Sequence, residues 1–571
     1  MTIPGELQRA RDLAFAGDSD AAREVLVSLM PVVEQADRDD LMLEVFAQLG
    51  AIYLARSAFD GARECRRRID ETIAVYRSIR AGAMPEAAAQ VTMTADEVDA
   101  MCERYHQRSL ALDIGLAAAE GRHAEAAAGL AQLLHASASG DEHTRLVTAA
   151  RMDCAVALGD DELHADAAPL WAAVIAALPE TDSGGPEQQY LHVAAGLGYG
   201  RFCVETGRFS EAESRLRRAG ARAQANGWHL EAARATLERA AGSWATGDVE
   251  TTEQLVNEAY PVIAEYARAH DVARCWLYFG LAALATGALE RADECWGHAE
   301  RHWRELGKPV HVHRILLQRS WIPVFFGRYP EAEALLAQAR EQLDSVPRSS
   351  WLQYARIDDQ LGTVYRAKGL ADLGFDAAGT PDDSWEELES RHVESLGIID
   401  EEPGTPAHRR AMTALAQAAE LKIPAALAVD SVRYSIADAE RRMAWATSVA
   451  AHALAGAFAV AWEGENTALV AELIEYHSAR GAFAETAPTE NGAAGWASPV
   501  ATVVAVPEEI DYALVAAGPP QPAQSFTRLG PLPPLQMDPG AKPLLDHYRE
   551  LAHQRYGRVV TENTDAWPTW P

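Results

Sequence analysis

A glycine recurs at intervals of forty residues through the middle of the chain, each time inside a short segment of the same pattern. The segments read ETGRFSEAES, ATGDVETTEQ, ATGALERADE and FFGRYPEAEA, and their glycines are Gly207, Gly247, Gly287 and Gly327. Further copies, some of them looser, surround Gly17, Gly121 and Gly369. Because glycine readily adopts the left-handed conformation that ends a helix, this period predicts a series of antiparallel helix pairs.

The helices between these turns carry small and bulky residues at matching positions. Gly280 and Ala283 lie on one predicted helix and Trp296 on the next, and Gly50 falls in the same pattern near the N-terminus. This pattern resembles the tetratricopeptide consensus, in which a glycine or alanine on the first helix accepts a bulky residue from the second. The match extends over roughly residues 5–375. The period of forty residues is longer than the usual thirty-four, so longer helices are expected.

The resemblance implies an all-α protein: a tetratricopeptide-like helical-repeat superhelix, or α-solenoid, with a C-terminal helical region and an extended Pro-rich tail. Composition agrees, because helix-forming residues are frequent and strand-forming runs are scarce outside residues 500–516. A helix pair cannot bury its apolar face alone, so neighbouring pairs stack and produce a concave inner wall. Proteins of this kind bind their partners on that wall.

The character of the sequence changes after the repeats. Residues 376–404 contain ten acidic side chains and little apolar periodicity. Thr405 and Pro406 form a typical helix start, and helical character continues to about Arg480 with a predicted break at Pro424. We therefore divide the chain into N-terminal helices at 1–80, a repeat array at 81–375, an acidic loop at 376–404, a helical region at 405–485, a Pro- and Gly-rich linker with a strand-like stretch at 486–542, and an amphipathic helix with a Trp-containing tail at 543–571.

Charge and cysteine usage exclude some classes of function. The formal net charge of −32 argues against nucleic-acid and anionic-membrane partners, since phosphate binding requires a basic surface. The six cysteines contain no CxxC pair, which is typical of reduced, buried thiols. The N-terminus lacks a signal-peptide pattern, and the most apolar helix, Ala446 to Trp462, is too weakly hydrophobic to span a bilayer. A cytoplasmic location is expected.

Four arginines share one position in successive first helices. Arg234, Arg274 and Arg314 are forty residues apart, and Arg356 has the same place relative to Gly362. In the tetratricopeptide proteins that this chain resembles, this position faces the groove and holds acidic peptides. The four residues are therefore predicted to form a ladder that binds carboxylates, for which the planar guanidinium is well suited. Alternatively, each arginine pairs with a neighbouring Glu or Asp and ties the repeats together.

A metal site and a catalytic site are also considered. Cys295, His298 and His302 lie on one helix face with spacing that suits zinc. Trp296 and Trp303 are on the same helix, however, and packing among tryptophans is the more ordinary role of such residues. No metal and no cofactor are predicted. The sequence contains no GxxxxGK[ST] phosphate loop, and neither catalytic residues nor enzymatic activity are expected.

The C-terminal part carries a second resemblance. It rests on LVAELIEYHSARGAF at Leu469–Phe483, RLGPLPPLQMDPG at Arg528–Gly540 and the ending WPTWP. These segments are similar to the C-terminal regions of bacterial tetratricopeptide proteins, many of which travel with CHAT-type caspase-like protease domains. The chain lacks a region that could form such a protease domain. The resemblance implies a protease-lacking relative, or a partner of a CHAT-type protease or another component of a regulatory or defence system.

These observations predict a non-enzymatic scaffold that binds an acidic peptide or protein segment in its concave groove. The alternative is a regulatory sensor whose repeat array changes shape when it binds a peptide or small ligand. The acidic loop at 376–404 or the C-terminal tail is a candidate internal occupant of the groove. Trp567 and Trp570 are predicted to dock onto the same chain or onto a partner subunit. The sequence leaves the oligomeric state open, and a homo-oligomer is possible.

Overall fold

The structure is a computed structural model. It describes residues 2–136, 140–178, 185–346, 349–374, 403–435, 442, 445–478, 535–536, 542–560 and 567–568. Most of the predicted acidic loop, the strand-like stretch at 500–516 and Trp570 lie outside the described residues.

The described chain is all-α up to residue 372, and its helices follow one another in antiparallel pairs. They are α1 Ile3–Phe15, α2 Ser19–Gln35, α3 Asp39–Ala55, α4 Phe59–Arg80, α5 Pro85–Ala88, α6 Ala95–Ala119, α7 His123–His135, α8 Asp141–Asp160, α9 His164–Ala177, α10 Pro186–Glu205, α11 Phe209–Ala225, α12 His229–Ala245, α13 Val249–Glu265, α14 Ala269–Ala285, α15 Leu289–Glu305, α16 Pro309–Arg319, α17 Trp321–Phe325, α18 Tyr329–Asp344 and α19 Trp351–Asp372. The predicted helical-repeat fold is confirmed.

The forty-residue period consists of two helices and two turns. Helices α11 to α15 are each 17 residues long, and each is followed by a turn with one residue in the left-handed conformation. Together with the turns before α11 and after α17, these turn residues are twenty positions apart: Gly207, Gly227, Gly247, Ala267, Gly287, Gly307 and Gly327. The predicted turns at Gly17 and Gly121 are confirmed as well, with φ values of 87° and 72°.

The predicted turn at Gly369 is wrong. Gly369 lies inside α19, where an added Cβ would be 3.1 Å from the carbonyl oxygen of Ala411. The residue is glycine because two helices approach closely there, and the turn falls at Gly374, with φ 88°.

Small residues on first helices accept bulky partners, as the consensus predicts. A Cβ added to Gly280 would be 2.2 Å from Nε1 of Trp296, and that nitrogen donates a hydrogen bond to the carbonyl oxygen of Leu277 at 3.2 Å. A Cβ added to Gly50 would be 2.7 Å from Leu112. Because neither site has space for a larger side chain, Gly280 sets the distance between α14 and α15, and Gly50 sets the distance between α3 and α6, the first helix of the next pair.

The C-terminal part contains further helices and one two-stranded pairing. These elements are α20 Pro406–Ser431, a 3₁₀ turn Val432–Ser435, a π-helical turn Ala446–Ala450, α21 Ala451–Glu463, α22 Thr467–Ser478, β1 Leu535–Gln536, α23 Leu545–Tyr556 and β2 Trp567–Pro568. The predicted start of α20 is confirmed, because the Thr405 side chain accepts a hydrogen bond from the His408 amide at 3.1 Å. The helix predicted over Ala446–Trp462 is interrupted by the π-helical turn, and Trp462 is 61% exposed.

The break predicted at Pro424 is wrong, because α20 continues through this residue. Proline has no N–H to donate to the carbonyl four residues earlier, which belongs to Glu420. Nη1 of Arg555 on α23 donates to that carbonyl oxygen instead, at 2.6 Å. A donor distant in sequence thus replaces the missing hydrogen bond and allows proline in the helix interior.

The residues group into two compact units. The first comprises residues 1–243 and 251–275, and the second comprises 244–250 and 276–571. One apolar cluster of the second unit joins residues of α19, α20, α21, α22 and α23. All six cysteines are free and buried, as predicted. None of the described helices combines the length and apolar character needed to cross a bilayer.

Candidate binding surface on the inner helices

The first helices of successive pairs in the first unit surround a common interior. Helix α1 packs on α3, α3 on α6, α6 on α8, and α8 on α10. The series then returns to its start, because Arg11 of α1 contacts Glu187 of α10 at 2.6 Å. The ring of Phe15, at the end of α1, stacks on that of Tyr190 with centroids 4.6 Å apart. We call α1, α3, α6, α8 and α10 the inner helices.

Charged residues on the inner helices form a series of ion pairs that starts and ends on α8, where Glu142 and Arg145 are one turn apart; we call it the arginine–glutamate ring. Its members are Arg11, Glu44, Arg104, Arg108, Glu142, Arg145 and Glu187. Glu44 on α3 pairs with Arg11 at 2.8 Å and with Arg108 at 2.8 Å. Glu142 on α8 pairs with Arg108 at 2.7 Å and with Arg104 at 3.0 Å.

The arginine–glutamate ring closes through α8 and α10. Arg145 lies one turn after Glu142 on α8 and contacts Glu187 of α10 at 3.3 Å. Glu187 also binds Arg11, so each of the five inner helices supplies at least one charge. The ion pairs therefore fix the relative positions of helices that are far apart in the sequence.

Glu44 is the most buried acid of this ring, and its side chain is 9% exposed. Burial alone would raise its pKa, but Arg108, Gln48 and Arg11 outweigh that effect and lower the pKa from 4.5 to about 2. The Tyr105 hydroxyl donates to the same carboxylate at 3.0 Å. Glu44 is therefore ionised in the folded protein and holds its two arginines in fixed positions.

Several guanidinium groups of the ring remain accessible. The side chain of Arg104 is 47% exposed, that of Arg145 is 33% exposed and that of Arg11 is 24% exposed. The ring contains four arginines and three glutamates and so carries one excess positive charge, in a chain with a net charge of −32.

Arg234, one of the four predicted ladder residues, belongs to the same unit. Its guanidinium contacts Glu231 at 3.0 Å and Asp271 at 2.7 Å, and the Tyr190 hydroxyl donates to Glu231 at 3.3 Å. Burial would raise the pKa of Asp271, but the charge of Arg234 outweighs burial and lowers it. The Arg234 side chain is 30% exposed.

The other ladder residues have different surroundings. Arg274 on α14 is buried with both terminal nitrogens on Glu238, one of them at 2.7 Å. A ligand could reach Arg274 only by displacing Glu238. Arg314 on α16 and Arg356 on α19 are half-buried and belong to the second unit. The structure thus places two ladder residues in each unit, and it gives Arg234 and Arg274 carboxylate partners, as the alternative interpretation anticipated.

The predicted metal-ligand candidates have other contacts in the structure. Cys295 is buried, and burial raises the pKa of its thiol. Nδ1 of His298 accepts a hydrogen bond from Arg301 at 2.8 Å, and its ring stacks on Trp276 with centroids 4.7 Å apart. His302 follows one turn later on α15 and is half-buried.

The C-terminal tail makes a backbone contact with its own chain. Trp567 of β2 is paired in parallel with Leu535 of β1. The side chain of Trp567 and all of Trp570 lie outside the described residues.

Sequence reasoning missed the arginine–glutamate ring. Its residues are not spaced at the repeat period, because α6 has 25 residues and α8 has 20, unlike the later 17-residue helices. A usable signal would have been the alternation of Glu and Arg on consecutive first helices. The pairs join residues from 33 to 176 positions apart.

The element order and the helix pairs define an all-α helical-repeat protein, a tetratricopeptide-like α-solenoid. No protein-family profile and no curated protein matches the sequence. Among solved structures, the chain is similar to a Rap protein complexed with competence and sporulation factor, with 12% identity, a TM-score of 0.38, and coverage of 66% of this chain and 99% of the other.

Two further structures are similar in the same way. NprR in complex with its cognate peptide NprX has 13% identity and a TM-score of 0.34, and the match covers 67% of this chain and 99% of NprR. A signal transduction ATPase of the STAND class with a tetratricopeptide repeat sensor, from Pyrococcus horikoshii, has 12% identity and a TM-score of 0.35. That match covers 65% of this chain and 52% of the ATPase.

Proposed function

We propose that this protein is a non-catalytic scaffold of the cytoplasm that binds an acidic peptide or protein segment on the inner helices of its first unit. The observation that carries the proposal is the arginine–glutamate ring. Partly exposed arginine side chains lie there on α1, α6 and α8, and each pairs with a carboxylate on another inner helix. A fixed arginine loses little conformational freedom when it binds a carboxylate, so it binds more tightly than a mobile one.

Arg234 extends this proposed surface beyond the ring. It is partly exposed and held by Glu231 and Asp271, so it can offer its remaining N–H groups to a ligand carboxylate. Arg274 would take part only through a rearrangement of Glu238. Arg314 and Arg356 are proposed as the corresponding contacts of the second unit.

One class of partner follows from the C-terminal resemblance. A CHAT-type protease, or another component of a bacterial regulatory or defence system, is the proposed physiological partner. Only Leu469–Ser478 of the first resembling segment is described, as part of α22. Co-purification of the full chain with a co-expressed CHAT-type protease would test this partner directly.

Fluorescence anisotropy of the full chain with a labelled oligoglutamate peptide tests the binding proposal. Oligoglutamate should bind and oligolysine should not, and raising the salt concentration should weaken binding. Arg104→Gln, Arg145→Gln and Arg234→Gln should each weaken affinity by about fivefold, or roughly 1 kcal/mol. Arg217→Gln on α11 is the matched control, because that side chain is 68% exposed and lies on a second helix. Equal effects of all four substitutions would contradict the proposal.

A second candidate function is a sensor that changes shape on binding. It is favoured by the return of α1 to α10, where Phe15 stacks on Tyr190 and meets Trp228 edge-on at 6.1 Å. An extended ligand that occupies the interior would compete with these contacts. Small-angle X-ray scattering at saturating peptide tests the sensor: a change in the radius of gyration, reproduced without ligand by Phe15→Ala, is expected. An unchanged scattering profile would contradict the sensor function and leave only the scaffold function.

A further inference from the structure

A cleft of about 520 Å³ opens in the second unit between α18, α19, α20 and α23. It is lined by Arg340, Tyr354, Asp358, Leu421, Arg555 and Tyr556. None of these residues belongs to the inner helices of the first unit, whose arginine–glutamate ring carries the proposed function. Two arginines and two tyrosines in a small cleft are an arrangement suited to an anionic ligand.

The one acid in the cleft is already neutralised by its neighbours. Asp358 is 5% exposed, and the Tyr556 hydroxyl donates to one of its oxygens at 2.6 Å. Arg340 pairs with the other oxygen and lies over the ring of Tyr354, 5.6 Å from the centroid. Since the charges of Arg340 and Asp358 cancel, Asp358 does not repel a bound anion strongly.

Arg555 retains its full positive charge. Its Nη1 donates to the carbonyl oxygen of Glu420, which is neutral, and it makes no ion pair with any carboxylate in the part of the chain that the structure describes. The carbonyl lacks its usual helical donor because Pro424 has no N–H, and this helps to position Arg555. The exposed Arg555 guanidinium also lies beside the Tyr556 hydroxyl of the same cleft, and it keeps further N–H groups for a ligand.

We propose that this cleft binds a small organic oxyanion, a carboxylate or a phosphate ester, whose charged group is held by Arg555. The remaining N–H groups of Arg340 provide a second contact. The Tyr354 ring and the Leu421 side chain line the same cleft and accept a planar or apolar body. Ligands with both parts bind in preference to either part alone.

Isothermal titration calorimetry of the full chain with phenyl phosphate, benzoate and phenol tests the site. The two anions bind and phenol does not, and the stronger of the two identifies the source as phosphate or carboxylate. Arg555→Gln weakens the binding of the preferred anion at least tenfold. Arg410→Gln serves as the matched control, because Arg410 is 62% exposed, lies on α20 and pairs with Asp372. The Arg410→Gln variant binds the preferred anion with the wild-type affinity.

Pro424→Ala provides a second, independent variant. Alanine restores the N–H that competes with Arg555 for the Glu420 carbonyl, while it keeps or improves helix propensity. Binding weakens several-fold while the helical circular dichroism signal is kept, which separates a loss of positioning from a loss of folding. The proposal is overturned if neither anion binds in the millimolar range, or if Arg555→Gln and Arg410→Gln have equal affinities.

Discussion

Replacing Glu238 by glutamine removes the negative half of a buried ion pair while it keeps the volume of the side chain. Arg274 is 7% exposed and Glu238 is 6% exposed, so the Arg274 guanidinium would lose its bidentate carboxylate in a poorly solvated site. Breaking one half of a buried pair costs about 3–5 kcal/mol. Glutamine still accepts one hydrogen bond, so we expect the lower end, about 3 kcal/mol.

The assay is hydrogen–deuterium exchange of peptides from α12 and α14, because both residues lie on these helices. A loss of about 3 kcal/mol corresponds to faster local opening by about two orders of magnitude. The double variant Glu238→Leu, Arg274→Met replaces the pair by apolar side chains and should recover most of the protection. Glu213→Gln on α11 is the control, because its side chain is 41% exposed and surface pairs contribute little.

Two outcomes would refute this reasoning. Unchanged exchange in the Glu238→Gln variant would show that the pair contributes nothing to the local stability of α12 and α14. Protection that stays as low in the double variant as in the single one would show that side-chain volume, rather than charge, sets the stability. A residue that served only to bind ligand would leave exchange in the unliganded protein unaltered.

Three further predictions concern stability. Ala267 has φ 51°, so Ala267→Gly should raise the free energy of unfolding by about 1 kcal/mol, measured by thermal denaturation against wild type. Gly280→Val should lower it by about 3 kcal/mol or more in urea denaturation, because an added Cβ would be 2.2 Å from Trp296; an unchanged midpoint would contradict the packing. The pKa of Glu44 is lowered to about 2, so its contribution is present above its unfolded pKa of about 4.5 and is lost as the pH falls to about 2. Acid titration followed by circular dichroism should show a loss of roughly 3 kcal/mol in the free energy of unfolding. The loss should be smaller in the Glu44→Gln variant.

The turns were predictable where glycine marks them and hidden where it does not. The glycines at Gly207, Gly247, Gly287 and Gly327 revealed the forty-residue period, and all four are left-handed. The intermediate turns include Ala267, which has no local signature of a helix end. An alanine there is tolerated because the packing of the helices on either side outweighs the local strain.

Two errors arose where a distant part of the chain decides the local structure. Pro424 predicts a helix end because it lacks a donor, and the donor that replaces it comes from Arg555, 131 positions later. Gly369 predicts a turn, but it serves the close approach of α20. In both cases the sequence contains the local cause, and the partner is visible only after folding.

The arginines were predictable in position and not in their surroundings. The repeat period placed Arg234 and Arg274 on equivalent turns of neighbouring helices, and the carboxylates that hold them lie 37 and 36 positions away. Each separation is shorter than the forty-residue period by about one helical turn. The link between Arg11 and Glu187 spans 176 positions, a separation that no repeat pattern specifies.

The return of α1 to α10 changes how the first unit must fold. In an open solenoid every repeat contacts only its neighbours, so folding can begin anywhere and spread along the chain. Here Phe15 is synthesised well before its partners Tyr190 and Trp228, which follow it in the chain by more than 170 residues. The aromatic ring of Phe15 therefore stays exposed until its partners have been synthesised. The long-range contact that then forms closes a large loop, so the repeats of the first unit fold as one cooperative body.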